Sequence, residues 1–161
     1  MAIQVGDKVP EATFKAMGPD GLMDVSSKDL FGGKTVALFS VPGAYTPTCT
    51  ARHVPSFRDN AEALKAKGVD EIVCISVNDP FVMKAWGESL TCEGKVRMLG
   101  DWNGEFSKAM DLTMDGSGAG LGTRGKRFSM LVKDGTIASL HVEEAPGELS
   151  VSNAETMLND L

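Results

Sequence analysis

The sequence predicts an α/β domain with a central mixed sheet flanked by helices, and three observations support this prediction. Its 161 residues suit a single domain, which we place over residues 1–161. Apolar residues make up 42% and charged residues 24%, a globular balance that excludes wholesale disorder. Short apolar runs alternate with segments of helical periodicity, the order expected of parallel strands joined by helices.

The N-terminal segment, which is rich in turn-forming residues, precedes the first predicted buried strand. Residues 1–34 are expected to be extended, with short hairpins at their Gly and Pro positions. Residues 35–41 (TVALFSV) form a β-rich apolar run between Gly33 and Pro42, which predicts a buried strand.

A helix and a second strand come next. Apolar residues recur at steps of three and four over residues 54–64, which indicates a helix that Gly68 would end. Pro55 lies inside this stretch and should kink or rework its early turns. Residues 71–77 (EIVCISV) predict a second buried strand, parallel to the first.

Shorter elements fill the middle of the chain. Residues 78–80 (NDP) are typical of a helix start, and that helix should run to about Leu90. We expect a short strand over 96–99, a short helix over 105–112 and a glycine-rich loop over 115–125.

The last part of the chain predicts a hairpin and a final helix. Asp-Gly at 134–135 separates the apolar runs 128–132 and 137–142, which is a strong hairpin signal. Ser152, with Glu155 three residues later, fits a capping box for the final helix.

The net charge and the hydropathy of the chain disfavour some classes of binding partner and predict a cellular location. Twenty-two acidic residues against sixteen basic ones give a net charge of −6, so a phosphate backbone would be repelled. No apolar run approaches the ~20 residues of a membrane helix. The first residues carry neither a secretory nor a transit signal. We therefore expect a cytoplasmic protein that binds neither nucleic acid nor membrane.

The three cysteines, Cys49, Cys74 and Cys92, point to thiol chemistry. An odd count without a Cys-x-x-Cys pair disfavours a disulfide framework and a structural zinc site. Reduced thiols suit the cytosol, and one or more of them can be catalytic.

Residues 42–49 (PGAYTPTC) carry the strongest chemical signal. They connect a predicted strand to a helix whose first turn holds Cys49, where free N–H groups and the helix dipole favour a thiolate. We expect this thiol to be exposed, with Arg127 as a nearby cation. The hydroxyl of Thr46, three residues earlier, can hydrogen-bond the sulfur or an incoming oxygen.

The pattern P-x-x-x-T-x-x-C, met by Pro42, Thr46 and Cys49, resembles the active-site motif of peroxiredoxins. The longer string VPGAYTPTCT resembles the type II group, the atypical peroxiredoxin-five subfamily. The resemblance implies a thioredoxin-like fold and a cysteine peroxidase without metal, haem or other cofactor. Further matches lie at residues 75–86 and 120–132.

The resemblance also implies roles for four residues. Cys49 would attack hydrogen peroxide or an organic hydroperoxide and become a sulfenic acid. Thr46 would hydrogen-bond the peroxide, and Arg127 would stabilise the thiolate and the leaving oxygen. Pro42 would shield the sulfenic acid from solvent.

The expected reductant is inferred from a difference between this sequence and the family pattern. Vertebrate-like members carry a resolving cysteine near the C-terminus, whereas residues 143–152 contain none. The resemblance therefore favours glutathione or glutaredoxin as electron donor in a one-cysteine mechanism, with thioredoxin as a further donor. It also favours a homodimer with a contact near the helix that begins at residue 80.

Alternatives remain open for the other candidate residues. Cys74 is interpreted as a core thiol that could resolve Cys49 only after local unfolding, and Cys92 as an incidental surface thiol. His53 is expected to pack at the site edge, and a Cys–His pair with Cys49 or a role as metal ligand are the alternatives. The Gly-x-Gly-x-x-Gly match at 120–125 precedes a strand, which is the wrong context for a dinucleotide site.

Two other functions compete with the peroxidase. Oxidation of Cys49 could switch a binding or holdase module, which would consume one peroxide per protein. The same architecture could also serve a thiol–disulfide oxidoreductase, which the missing Cys-x-x-Cys disfavours.

Overall fold

Strands and helices alternate along residues 2–161, the part of the chain that the computed structural model describes. The strands are β1 (Thr13–Gly18), β2 (Gly21–Ser26), β3 (Thr35–Ser40), β4 (Glu71–Ser76), β5 (Arg97–Gly100), β6 (Thr113–Asp115), β7 (Thr123–Gly125), β8 (Phe128–Lys133) and β9 (Thr136–Val142). The helices are α1 (Ser27–Phe31), α2 (Val54–Asp59), α3 (Ala61–Ala66), α4 (Pro80–Ser89), α5 (Glu105–Ala109) and α6 (Ala154–Asn159). A π-helical turn spans Cys49–His53, and a 3-10 turn spans Ser117–Ala119.

Seven strands form one mixed sheet in the order β2-β1-β5-β4-β3-β8-β9. The central strands β3, β4 and β5 run parallel, and the remaining neighbours in the sheet pair antiparallel. Helical crossovers join the parallel strands, as parallel pairing requires. Loops that follow β3 and β4 therefore meet at one edge of the sheet, where the site lies. This arrangement confirms the predicted thioredoxin-like fold.

Each face of the sheet is covered by its own hydrophobic cluster, because alternate residues of a strand point to opposite faces. On β3, Leu38 packs into one cluster and Phe39 into the other. The cluster on the Phe39 side also contains all three cysteines. Within residues 2–161, no helix is long and apolar enough to cross a membrane.

Most predicted elements are present, although the helix predicted over 54–64 is interrupted at Asn60, between α2 and α3. Strands β3 and β4, helix α4 and the β8–β9 hairpin lie within a residue or two of their predicted bounds. Helix α1 was missed, and the predicted 105–112 helix ends at Ala109. The glycine-rich segment 115–125 is partly ordered, because β6 pairs with β7 across it. Asn153, not Ser152, caps α6, since the Ser152 hydroxyl donates to Glu143 instead.

Candidate active site

Cys49 lies where the chain turns from β3 into a helix. Pro47 and Thr48 are already helical, so Cys49 occupies the first turn, as predicted. The N–H of Val54 donates to the Cys49 carbonyl, a π-type bond one residue wider than in an α-helix. Pro55 follows directly, and its ring would clash with the carbonyl four residues back in a regular helix. The wider turn relieves that clash, which confirms the predicted effect of Pro55.

The Cys49 side chain is buried, with 0% of its surface exposed, so the prediction of an exposed thiol is wrong. The π-helical turn directs it into the cluster that holds Phe39, Val54 and Phe57. Pro42, which is also buried, belongs to the loop that precedes it. The sulfur therefore lies in a dry environment, where a neighbouring charge acts more strongly than in water.

Arg127 supplies that charge from the residue before β8. Its Nη2 lies 3.1 Å from Cys49 Sγ, which places the guanidinium beside the sulfur as the sequence predicted. The side chain is 2% exposed, so its donors need protein partners. Nε and Nη2 donate to the carbonyl of Pro146 at 3.0 and 2.9 Å, and Nη1 contacts His53 Nδ1 at 2.9 Å. The guanidinium is thereby fixed in orientation, and a contacting cation favours an anionic sulfur.

His53 orients Arg127 and does not pair with Cys49. Its Nδ1 accepts from Arg127, and its Nε2 lies 2.9 Å from the Ser152 carbonyl, to which the Nε2–H tautomer donates. Burial, with help from the Arg127 charge, lowers the pKa of His53 to about 3. A neutral imidazole can accept from Arg127 without repelling it. Among residues 2–161, no three His, Cys, Asp or Glu side chains group as a metal site would require.

The loop between β3 and the π-helical turn presents Thr46 and Pro42. The Thr46 hydroxyl donates to the Gly43 carbonyl at 2.6 Å rather than to the sulfur. Its lone pairs remain able to accept from an O–H group. Tyr45 adopts a left-handed conformation with φ of 65°, so this loop is held in a strained shape by its surroundings.

Two residues that hold this loop were not assigned a role from the sequence. Arg124 Nη1 donates to the Pro42 carbonyl at 3.0 Å, and Asn78 Oδ1 accepts from the N–H of Ala44 at 3.0 Å. A Cβ at Gly43 would lie 2.7 Å from Arg124 Nη1, so a larger residue here would displace the Arg124 guanidinium from its present position. The signal in the sequence for Arg124 is a cluster of three basic residues, Arg124, Lys126 and Arg127, and the signal for Asn78 is its place at a helix start.

The other two thiols are also buried, but neither has a cation in hydrogen-bonding contact among the described residues. Cys74 lies in β4 with no exposed surface, which confirms the prediction of a core thiol. Cys92 is 1% exposed, so its prediction as a surface thiol is wrong. Its backbone N–H donates to the Gly87 carbonyl, which folds it back under the end of α4. Burial raises the pKa of both thiols, that of Cys74 most strongly.

Comparisons with known proteins agree with this geometry. A model of the Redoxin family matches residues 4–158. Peroxiredoxin-2B of Arabidopsis thaliana is 46% identical over 160 residues, covering 99% of this chain and 98% of that protein. Reduced Prx3 from Vibrio vulnificus in complex with H2O2 matches with a TM-score of 0.92 and 45% identity over 98% of both chains. Peroxiredoxin 5 from Alvinella pompejana matches with a TM-score of 0.86 and 34% identity over 98% of this chain and 97% of its own.

The fold and these likenesses define a thiol peroxidase with the thioredoxin-like architecture. The chain belongs to the Redoxin family and, within it, to the type II peroxiredoxins, as the motif at residues 42–49 predicted.

Neutral His53 should make stability fall in mild acid. In the unfolded state His53 binds a proton with the ordinary pKa of 6.5, whereas in the folded state its pKa is about 3. The free energy of unfolding is therefore highest above pH 6.5 and decreases as the pH falls from 6.5 towards 3. The loss should reach about 2 kcal/mol by pH 5, at roughly 1.4 kcal/mol per pH unit. Urea unfolding at pH 7, 6 and 5 measures it. His53→Gln should remove this loss, and an unchanged slope in that variant would contradict the account.

Proposed function

We propose that this peroxiredoxin reduces hydrogen peroxide and small organic hydroperoxides at Cys49, and that glutathione or glutaredoxin regenerates it. The observation that supports this most directly is the 3.1 Å contact between Arg127 Nη2 and Cys49 Sγ. A buried guanidinium held by two neutral partners, a carbonyl and an imidazole, has its positive charge available for an anionic sulfur and for a developing oxyanion.

In the oxidation step, the Cys49 thiolate attacks the outer oxygen of the peroxide. The O–O bond breaks, its electron pair leaves with the inner oxygen as hydroxide or alkoxide, and that group takes up a proton to become water or an alcohol. Cys49 becomes a sulfenic acid. Thr46 Oγ1, whose proton is donated to the Gly43 carbonyl, accepts the O–H of the peroxide and orients it.

The burial of Cys49 limits which peroxides react. A substrate reaches the sulfur when the loop at Pro42 or the π-helical turn moves, and a small peroxide needs the smallest movement. We assign Pro42, which is buried in the loop before the turn, the role of shielding the sulfenic acid from water. Exclusion of water also strengthens the electrostatic effect of Arg127.

Regeneration uses a thiol from outside the chain. Residues 143–152 contain no cysteine, and both Cys74 and Cys92 are buried with raised pKa values, which disfavours a resolving thiolate within the chain. Glutathione attacks the sulfenic sulfur, a mixed disulfide forms and water leaves. A second thiol, from glutathione or glutaredoxin, then attacks that disulfide and releases the Cys49 thiolate. Thioredoxin is a further donor of the same chemistry.

The enzyme is proposed to act in the cytoplasm as a homodimer. Tyr45 is 56% exposed and Phe81 is 60% exposed, although both are large apolar side chains. Tyr45 packs against Trp86 of α4, the helix on which Phe81 lies, so the two side chains belong to one region beside the site. A second copy covering this region would remove apolar surface from water. Sedimentation velocity tests the dimer.

Cys49→Ser should abolish peroxide turnover because it removes the nucleophile. Cys74→Ser and Cys92→Ser should keep most of the turnover with glutathione and glutaredoxin, although each places a hydroxyl in the core and should lower the melting temperature. Peroxide consumption per protein molecule measures this, and many turnovers distinguish the enzyme from a sensor or holdase. Retained turnover in Cys49→Ser would assign the nucleophile elsewhere.

Intact mass after one equivalent of hydrogen peroxide should distinguish the regeneration routes. The one-cysteine route predicts a gain of one oxygen on Cys49, replaced by a glutathione adduct when glutathione is present. A loss of two hydrogens in wild type that disappears in Cys74→Ser or Cys92→Ser would contradict it and identify a resolving thiol.

A further inference from the structure

The segment of residues 144–152, which joins β9 to α6, delivers backbone carbonyls to the residues around Cys49. The carbonyl of Pro146 accepts from Arg127, and that of Ser152 accepts from His53. The carbonyls of Gly147 and Leu149 accept from Thr48 Oγ1 at 3.0 Å and from Arg52 Nη2 at 3.3 Å. Four carbonyls of one segment thus hold the helix start and the guanidinium together.

Glu143 directly precedes this segment, and its side chain hydrogen-bonds residues at the other end, which closes the segment into a loop. Its carboxylate accepts from the backbone N–H groups of Ser150, Val151 and Ser152 and from the hydroxyls of Ser150 and Ser152, at 2.6 to 3.2 Å. The residue is 6% exposed, and such a carboxylate needs several donors to offset its lost hydration. Burial alone would raise the pKa of Glu143, but these donors, led by Ser152, outweigh it and lower the pKa to about 2.

Glu143 is also tied to Arg127 through the backbone, because its N–H donates to the Arg127 carbonyl at 3.0 Å. Its carboxylate accepts only from the segment, so it reaches the guanidinium indirectly, through the Pro146 carbonyl on Arg127 and the Ser152 carbonyl on His53. A half-open cavity of about 270 Å³ borders the first residues of the segment and is also lined by Arg127, Glu143 and Lys126. Packing against the segment is therefore incomplete on this side, and the hydrogen bonds to Glu143 are among the contacts that hold it in place.

We propose that Glu143 is a positioning residue for peroxide reduction. By closing the 144–152 segment, it holds the Pro146 and Ser152 carbonyls on Arg127 and His53, and so keeps the guanidinium in contact with the Cys49 sulfur. This inference rests on the roles proposed above for Cys49 and Arg127.

The direction in which the ionisation of Cys49 changes when Glu143 is replaced distinguishes a positioning role for Glu143 from a direct effect of its charge. Glu143 is a negative charge near a cysteine that reacts as an anion, so removing the charge alone should favour the thiolate. Losing the alignment of Arg127 should do the opposite. Among residues 2–161, the charged or titratable groups in hydrogen-bonding contact with this assembly, besides Arg127 and His53, are Arg52 and Glu148, and the test leaves all of them unchanged.

The test compares Glu143→Gln with Glu144→Gln, which removes the same charge from the next, exposed residue. Alkylation of Cys49 by iodoacetamide is followed by peptide mass at a series of pH values, and oxidation of Cys49 by hydrogen peroxide is followed in a single turnover. In Glu143→Gln, the alkylation midpoint should move to higher pH, and oxidation at pH 7 should slow about 10- to 100-fold. Glu144→Gln should stay within about twofold of wild type in oxidation rate, as expected for an exposed charge outside the hydrogen-bonded assembly.

A midpoint that moves to lower pH, or stays fixed while oxidation keeps its rate, would overturn the inference, even if the melting temperature falls. If Glu143→Gln does not fold, Ser152→Ala removes one 2.6 Å hydrogen bond and keeps the charge, and it should shift both readouts in the same direction by less. Wild type and Cys49→Ser are measured alongside. Failure of wild type to oxidise at Cys49 would refute the proposed function, whereas normal oxidation in both wild type and Glu143→Gln would refute only the role of Glu143.

Discussion

The contact between the Arg127 guanidinium and the Cys49 sulfur, made inside the protein at 3.1 Å, is the interaction on which the site depends. A buried guanidinium is unfavourable unless each donor finds a partner. Here the partners are the Pro146 carbonyl and the imidazole of His53. Because both are neutral, the positive charge remains for the sulfur.

The lowered pKa of His53 is part of this arrangement. A protonated imidazole could not accept from Arg127 and would repel it. Burial against the stacked aromatic rings of Phe39 and Phe57, together with the Arg127 charge, keeps the imidazole neutral at physiological pH. The loss of stability in mild acid is a consequence of the same burial.

The three thiols of one hydrophobic cluster are all buried, but they differ in their contacts with charged groups. Cys74 and Cys92 share the hydrophobic cluster with Cys49, and their burial raises their pKa values. Cys49 differs because the strand-to-helix turn places it against Arg127. The geometry of β3, Pro55 and the segment before α6 therefore places one of the three thiols against a guanidinium.

Much of the fold could be predicted because β3, β4 and α4 carry long apolar patterns with clear boundaries. The pairing of Cys49 with Arg127 could also be predicted, from a loop motif and a basic cluster. The burial of Cys49 could not, since the segment that packs beside it is about a hundred residues away in sequence, as its hydrogen bond to His53 illustrates. The role proposed for Glu143 could not be predicted either, because it depends on backbone carbonyls and N–H groups, which leave no pattern in the sequence. The cap of α6 was misassigned because Glu143 takes the Ser152 hydroxyl.

The rate at which hydrogen peroxide oxidises Cys49 in Arg127→Lys tests the central contact most directly. Lysine keeps the positive charge but cannot donate to Pro146, His53 and the sulfur in one plane. A single-turnover measurement at pH 7 should show oxidation slowed about 100-fold or more relative to wild type, as for loss of a preorganised donor. An unchanged rate in a folded Arg127→Lys enzyme would contradict the account.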